Sequence, residues 1–210
     1  EGMSWYLDGT IKGQSDLDHL TRPDPQADGR FRTLRWGLKR HADNVAVAVA
    51  IPGVFTHAWS MTGFSTFVKS LYNKPRFARN LVSYVNDYFI EMGKIAIDLG
   101  AEFLWIADDF GGNRGPLISP VHFRTFILPH LRRMVRSFKR RGVWVFLHCD
   151  GNVMPFIEDI VATGINAFHP TERKTGMDLR VMKETFGNKI TLIGNLEASH
   201  LIPEGNLKDI

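Results

Sequence analysis

The chain has 210 residues, of which 44% are hydrophobic and 23% charged, with a net charge of +4 and a single cysteine. Such a composition is that of an ordinary soluble globular protein with enough chain for a substantial core. One cysteine excludes an internal disulfide framework and suits a reducing cytoplasm. No apolar run approaches the roughly 20 residues of a membrane helix, and no basic segment followed by an apolar stretch marks a signal peptide. Much of the positive charge, Arg132, Arg133, Arg136, Lys139, Arg140 and Arg141, falls on one expected helix. Without aromatic or groove-reading elements beside it, this reads as a solvated face rather than a nucleic-acid surface.

Residues 1–44 are polar and read as an irregular segment of the same domain, with turns at Pro23, Pro25 and Gly29 and a short helix opening near Asp16, Leu17 and Leu20. Val45 to Ile51 reads as a strand buried on both faces and ended by Pro52-Gly53. Across 75–99, Phe77, Leu81, Val85, Phe89, Met92 and Ile95 recur at helical spacing, and Gly100 stops that helix. The pattern then repeats. Strands are expected at Phe103–Ala107, Val143–Leu147, Ile165–Phe168 and Lys189–Ile193, and helices at 120–141, 153–163 and Met177–Phe186, with Gly142, Gly164 and Gly187 closing the helices.

Strands alternating with helices mean βα units and a parallel sheet. Polar residues follow nearly every strand: His57 and Trp59, Asp108 and Asp109, His148 and Asp150, His169 and Glu172, Asn195 and Glu197. A (β/α)8 TIM-type barrel gathers such strand ends around one mouth, whereas an open doubly wound sheet concentrates them at one switch point beside a glycine-rich phosphate turn. No such turn is present. The prediction is therefore a barrel present only in part over residues 45–210, because a barrel needs eight strands and five are legible.

His148 and Asp150, two residues apart past a strand end, can reach the same side of the mouth, and imidazole with carboxylate is a usual divalent-metal pair. The alternative is turn chemistry in Asp-Gly-Asn beside a hydrogen-bonded core histidine. Cys149, lying between them, should point the other way. His169 or Glu172 from the next strand end would complete a three-ligand set with an open position, or would pack and be solvated respectively. Asp108 and Asp109 repel, so one is expected to have a raised pKa and act as acid or base, while the other caps the loop 110–116. Arg114 in that glycine-rich loop is a candidate to pair with a substrate carboxylate. Asn195 and Glu197 read as turn residues or as substrate contacts.

Ala107-Asp-Asp-Phe-Gly-Gly-Asn-Arg-Gly-Pro-Leu-Ile-Ser-Pro120, His122-Phe-Arg-x-Phe126, Leu147-His-Cys-Asp-Gly-Asn152, His169-Pro-x-Glu172, Gly176-Met-Asp178 and Leu192-Ile-Gly-Asn195 together resemble the uroporphyrinogen decarboxylase superfamily over roughly residues 45–200. The resemblance implies a (β/α)8 barrel with further barrel sequence on both sides. It also implies one of two activities: cofactor-free decarboxylation of a carboxylated tetrapyrrole, or methyl transfer to or from a corrinoid with zinc at the acceptor or donor. The decarboxylases' Asp-Ser-Trp is replaced by Asp108-Asp109-Phe110. The methyltransferases' His-x-Cys-Gly aligns with His148-Cys149-Asp150-Gly151, so the histidine matches and Asp150 stands where a cysteine is expected.

The expectation that follows is a methyltransferase moving a methyl group between a small O- or N-methyl substrate and a corrinoid protein. Zinc would be held by His148, Asp150 and Glu172, less readily by Cys149 or His169. Asp108 or Asp109 would transfer protons, and His57, Trp59, Arg114, Asn152 and Asn195 would bind substrate. The expected setting is the cytoplasm, with a homodimer as the expected assembly and no nucleic-acid or membrane partner. Decarboxylation is the second reading, and a binding module without catalysis the third.

Overall fold

The structure, a computed structural model, describes residues 9–27, 29–196 and 205. Two helices come first, α1 (Gln14–Asp18) and α2 (Arg32–His41), so the segment expected to be irregular holds a second helix of 10 residues. Then follow β1 (Ala48–Pro52), α3 (Val54–Thr62), α4 (Phe64–Asn73), the long α5 (Pro75–Asp98) and β2 (Phe103–Ala107). A small hairpin, β3 (Gly111–Gly112) and β4 (Gly115–Pro116), precedes α6 (Pro120–His122) and α7 (Leu128–Lys139). The remainder is β5 (Trp144–His148), α8 (Ile157–Val161), β6 (Ala167–His169), α9 (Leu179–Phe186) and β7 (Thr191–Leu192).

The main sheet is parallel, in the order β1-β2-β5-β6-β7. Neighbours in space are neighbours in sequence, with only the hairpin strands set apart, and no reversal creates a switch point. That is the order of a barrel wall, here an arc of five strands, and it agrees with the barrel expectation.

Side-chain alternation gives the sheet two unlike faces. Ile51, Leu104, Ile106, Val145, Leu147 and Phe168 are buried, on the face where α5 and α7 pack. Gly93 lets that layer close, since a Cβ there would meet the Phe138 ring at 2.3 Å and Leu104 Cδ1 at 3.3 Å. The other face carries Ala48, Ala50, Phe103, Trp105, Phe146, His148 and His169, mostly half-buried or exposed among the described residues. The expectation that the first strand is buried on both faces therefore fails. Its alanines line the open face, and only Val49 and Ile51 turn toward the helices.

Two expected helices are interrupted, each beside a proline. The segment expected over 120–141 passes through a π-helical stretch, Phe123–Ile127, before α7. Pro129 has no N–H to bond back one turn, and the wider turn absorbs that loss. Pro155 likewise sits in a short 3-10 turn, Met154–Phe156, ahead of α8. The basic face of α7 is solvated, with Arg133 paired to Asp87, Arg141 to Asp98, and Lys139 Nζ donating to the Gly164 carbonyl at 2.7 Å.

Candidate metal centre

The carboxyl ends of β2, β5 and β6 meet in register. Ala107 pairs with His148 and His148 with His169, and the ladder continues one residue further through Asp108 N–H to the His148 carbonyl (3.0 Å) and Cys149 N–H to the His169 carbonyl (2.8 Å). This backbone extension holds the residues after each strand to the strand's own alternation, and so sorts the two adjacent aspartates.

Asp108 shares the face of Leu104 and Ile106 and is 1% exposed. Its carboxylate accepts the amide N–H of Phe55 (3.1 Å) and of Thr56 (2.7 Å) in the first turn of α3, whose own N-cap, Gly53, has no side chain to offer. A Cβ at Gly53 would lie 2.0 Å from Asp108 Cβ, so glycine is what lets the carboxylate seat there. Burial pushes this carboxyl up from an ordinary 3.8 to about 6, opposed by the two amides and the Thr56 hydroxyl and aided by Asp109.

A pH effect follows. Between about pH 4 and 6 the unfolded chain has released this proton while the folded chain keeps it, so stability falls as pH rises through that window. Two pKa units correspond to about 3 kcal/mol. Urea unfolding of the full-length protein should show this loss, in addition to a loss of the same sign from Asp150, and Asp108→Asn should remove most of it. An unchanged pH profile in the variant would refute the assignment.

Asp109 turns to the open face. Its backbone N–H donates to Thr56 Oγ1 (3.0 Å), and its Oδ1 accepts the Asp150 N–H (2.9 Å). His148 Nε2 lies 3.7 Å from Asp109 Oδ1 and 3.7 Å from Asp150 Oδ1. One ligand atom from each of Asp109, His148 and Asp150 lies within 4.8 Å of the others. Partial burial and the charges of Asp109 and Glu172 push the Asp150 carboxyl up, and His148 pulls it down.

Glu172, expected as the third ligand, accepts the Gly151 N–H on Oε2 at 3.0 Å, and the residue grouped with His148 and Asp150 is Asp109. Cys149 faces away as expected. It is fully buried, its Sγ donates to the Asp150 carbonyl at 3.4 Å, and burial holds its thiol well above the ordinary range. Thiolate is the form that binds metal, so this cysteine does not fit a ligand set, whereas one imidazole nitrogen and two carboxylates fit zinc or a harder divalent ion.

His169 comes to the same corner. Its Nδ1 lies 2.8 Å from His148 Nδ1, with ring centroids 5.0 Å apart, and Trp105 makes a floor for both at 5.1 Å from His169 and 6.3 Å from His148.

The remaining expected site residues are placed as follows. Asn152 uses both ends of its amide on backbone, donating to the Thr175 carbonyl (2.8 Å) and accepting from Met154 N–H (3.0 Å). His57 and Trp59 lie on α3 rather than in a strand-end loop. The His57 ring meets Phe89 edge-on at 4.8 Å, with burial lowering its pKa, and Trp59 meets Phe64 at 6.0 Å. Arg114 is exposed at the tip of the β3–β4 hairpin. Asn195 is half-buried beyond β7, following Gly194, where a Cβ would come within 3.3 Å of the Thr171 nitrogen, and Glu197 lies outside the described residues.

The hairpin locks the loop that carries Asp150. Asn152 N–H donates to the Gly112 carbonyl (2.9 Å), and a Cβ on Gly111 would meet the Asp150 carbonyl at 2.4 Å. Gly151 has φ +80°, and a Cβ on it would meet Gly111 at 2.5 Å. Both loops must be glycine to interlock. Beneath them Phe110, Phe123 and Phe156 form a buried aromatic cluster, with Phe123 and Phe156 stacked at 4.1 Å.

The sequence profile described as Uroporphyrinogen decarboxylase (URO-D) matches residues 6–210. The chain belongs to the uroporphyrinogen decarboxylase family. Among its relatives, a uroporphyrinogen decarboxylase from Myxococcus xanthus is 26% identical, over 95% of this chain and 59% of that protein. A methylated-thiol–coenzyme M methyltransferase from Methanosarcina mazei is 23% identical, over 92% of this chain and 52% of that one. A solved methyltransferase structure from Methanosarcina mazei superposes with a TM-score of 0.68 at 23% identity, covering 77% of this chain and 46% of the other, and so shares the fold. The chain thus spans between half and three fifths of the two curated relatives named here. Those two relatives are named as enzymes of two kinds, a decarboxylase and a methyltransferase.

Proposed function

We propose that this member of the uroporphyrinogen decarboxylase family is a metal-dependent methyltransferase, exchanging a methyl group between a small O- or N-methyl substrate and the corrinoid of a partner protein. The convergence of Asp109, His148 and Asp150 at one strand-end corner carries this reading. A single nitrogen with two carboxylate oxygens suits an ether or amine better than a thiol, since oxygen donors leave the ion hard. When bound, the ion would supply a Lewis acid to the heteroatom that bears or receives the methyl group.

The chain's own residues do the rest. Asp109, tied to Thr56 and to the Asp150 amide, and Asp150, locked through the Gly151 loop, present their oxygens to the same point as His148 Nε2. Trp105 floors the site, and Asn195 and Arg114 are candidates for orienting substrate. Asp108, sealed behind α3, acts by holding that helix and Asp109 in place.

Decarboxylation of a carboxylated tetrapyrrole is the second reading, favoured by the 26% identity to the Myxococcus xanthus enzyme. The two separate in one assay of full-length protein. Methyl transfer from aryl or alkyl ethers and amines to added cob(I)alamin, with about one zinc per chain, supports the first. Carbon dioxide release from uroporphyrinogen by metal-stripped protein would overturn it in favour of the second.

A further inference from the structure

We infer that His169 is a positioning residue for His148: its Nδ1 accepts the proton on His148 Nδ1, and this bond presents the bare Nε2 of His148 to the corner formed by Asp109 and Asp150. The inference rests on the metal reading and deepens it, since it moves His169 from a candidate ligand to the partner that orients one.

The 2.8 Å Nδ1–Nδ1 contact leaves room for one proton, so one ring donates and the other accepts. His148 Nε2 faces two carboxylate oxygens at 3.7 Å each. A metal on Nε2 needs the lone pair there, which leaves the neutral ring's proton on Nδ1 and makes His148 the donor. His169 must then accept at Nδ1 and keep its own proton on Nε2.

The fold builds this pair in advance. His148 and His169 are register partners on adjacent parallel strands, and the Cys149 N–H bond to the His169 carbonyl fixes the second backbone against the first. Trp105, on β2, lies beside both rings, edge-on to His169 at 5.1 Å and tilted to His148 at 6.3 Å. Ligand histidines commonly hold their second nitrogen to an outer acceptor, and losing that acceptor typically costs 10–100-fold in metal affinity. Here the acceptor is a second imidazole instead of the more usual carboxylate or carbonyl.

The test compares zinc affinity, by competition with a chromophoric chelator, in full-length wild type, His169→Leu and His169→Asn. Asparagine places an amide oxygen near the position of Nδ1. His169→Leu should bind zinc about 10–100-fold more weakly, and His169→Asn should recover to within a few-fold. Ring nitrogen-15 spectra of the zinc-loaded wild type should show His169 protonated on Nε2 with Nδ1 bare. Equal losses in both variants, or no loss in either, would overturn the inference while leaving the metal site standing, as would a His169 protonated on Nδ1. A wild type that takes up no zinc would overturn the metal reading and this inference together.

Discussion

His148→Ala in the full-length protein should lower zinc affinity by more than the ~10–100-fold expected for loss of an outer partner and, on the proposed function, take methyl transfer with it. One ligand of three would be lost, and the one lost is the only nitrogen. The loss should exceed that of either aspartate variant, because Asp109 and Asp150 would still leave one carboxylate and the histidine in place. The fold should survive: His148 is partly exposed at a strand end, and the helix-facing residues of β5, Val145 and Leu147, are untouched. Retained secondary structure by circular dichroism with lost metal is the expected pair of results. Zinc uptake and activity equal to wild type would refute the role assigned to His148.

Phe123→Ala should destabilise the protein by about 3–5 kcal/mol, the usual cost of emptying a buried phenylalanine site. Phe123 is fully buried, stacked on Phe156 at 4.1 Å and against Phe110 at 5.0 Å. It also lies in the π-helical stretch ahead of Pro129. Phe110 directly follows Asp109, so the loosened cluster should weaken zinc binding as well, whereas Phe123→Leu should lose a smaller part of both. Urea denaturation reads the first effect through its midpoint at constant slope. A loss below about 1 kcal/mol would mean that the aromatic cluster does not support the site.

The barrel arc was legible because each strand ends in turn or polar residues and most helices end in glycine, and both signals are local. The helices α3 and α4 were not. Residues 54–73 are rich in aromatic residues, serine and threonine and carry few charges, so no polar stripe marks a helix, and His57 and Trp59 read as strand-end residues when they sit on α3. In the first strand, the alternation of Val45, Val47, Val49 and Ile51 with Ala46, Ala48 and Ala50 held the information that one face packs and the other does not. It reads as a wholly apolar run only when side-chain size is ignored.

At the site, the two-residue spacing of His148 and Asp150 gave their common direction, and Cys149 faced away as that spacing requires. Adjacency of Asp108 and Asp109 showed that only one could face the mouth. Which one depends on whether Leu104 and Ile106 or Phe103 and Trp105 meet the helices, and both pairs are apolar. Counting back two residues from His148 to Phe146, and across to Trp105 in register, could have found the floor of the site. Glu172 could not be separated from Asp109 by sequence, because its bond to the Gly151 amide depends on how two loops from different strands meet.

X-ray absorption at the zinc edge of the metal-loaded full-length protein tests the central claim most directly. A first shell of nitrogen and oxygen at about 2.0–2.2 Å, with one imidazole and no sulfur, is the expected result. A sulfur scatterer at about 2.3 Å would contradict it, since it would bring a cysteine thiolate into the site in place of an aspartate.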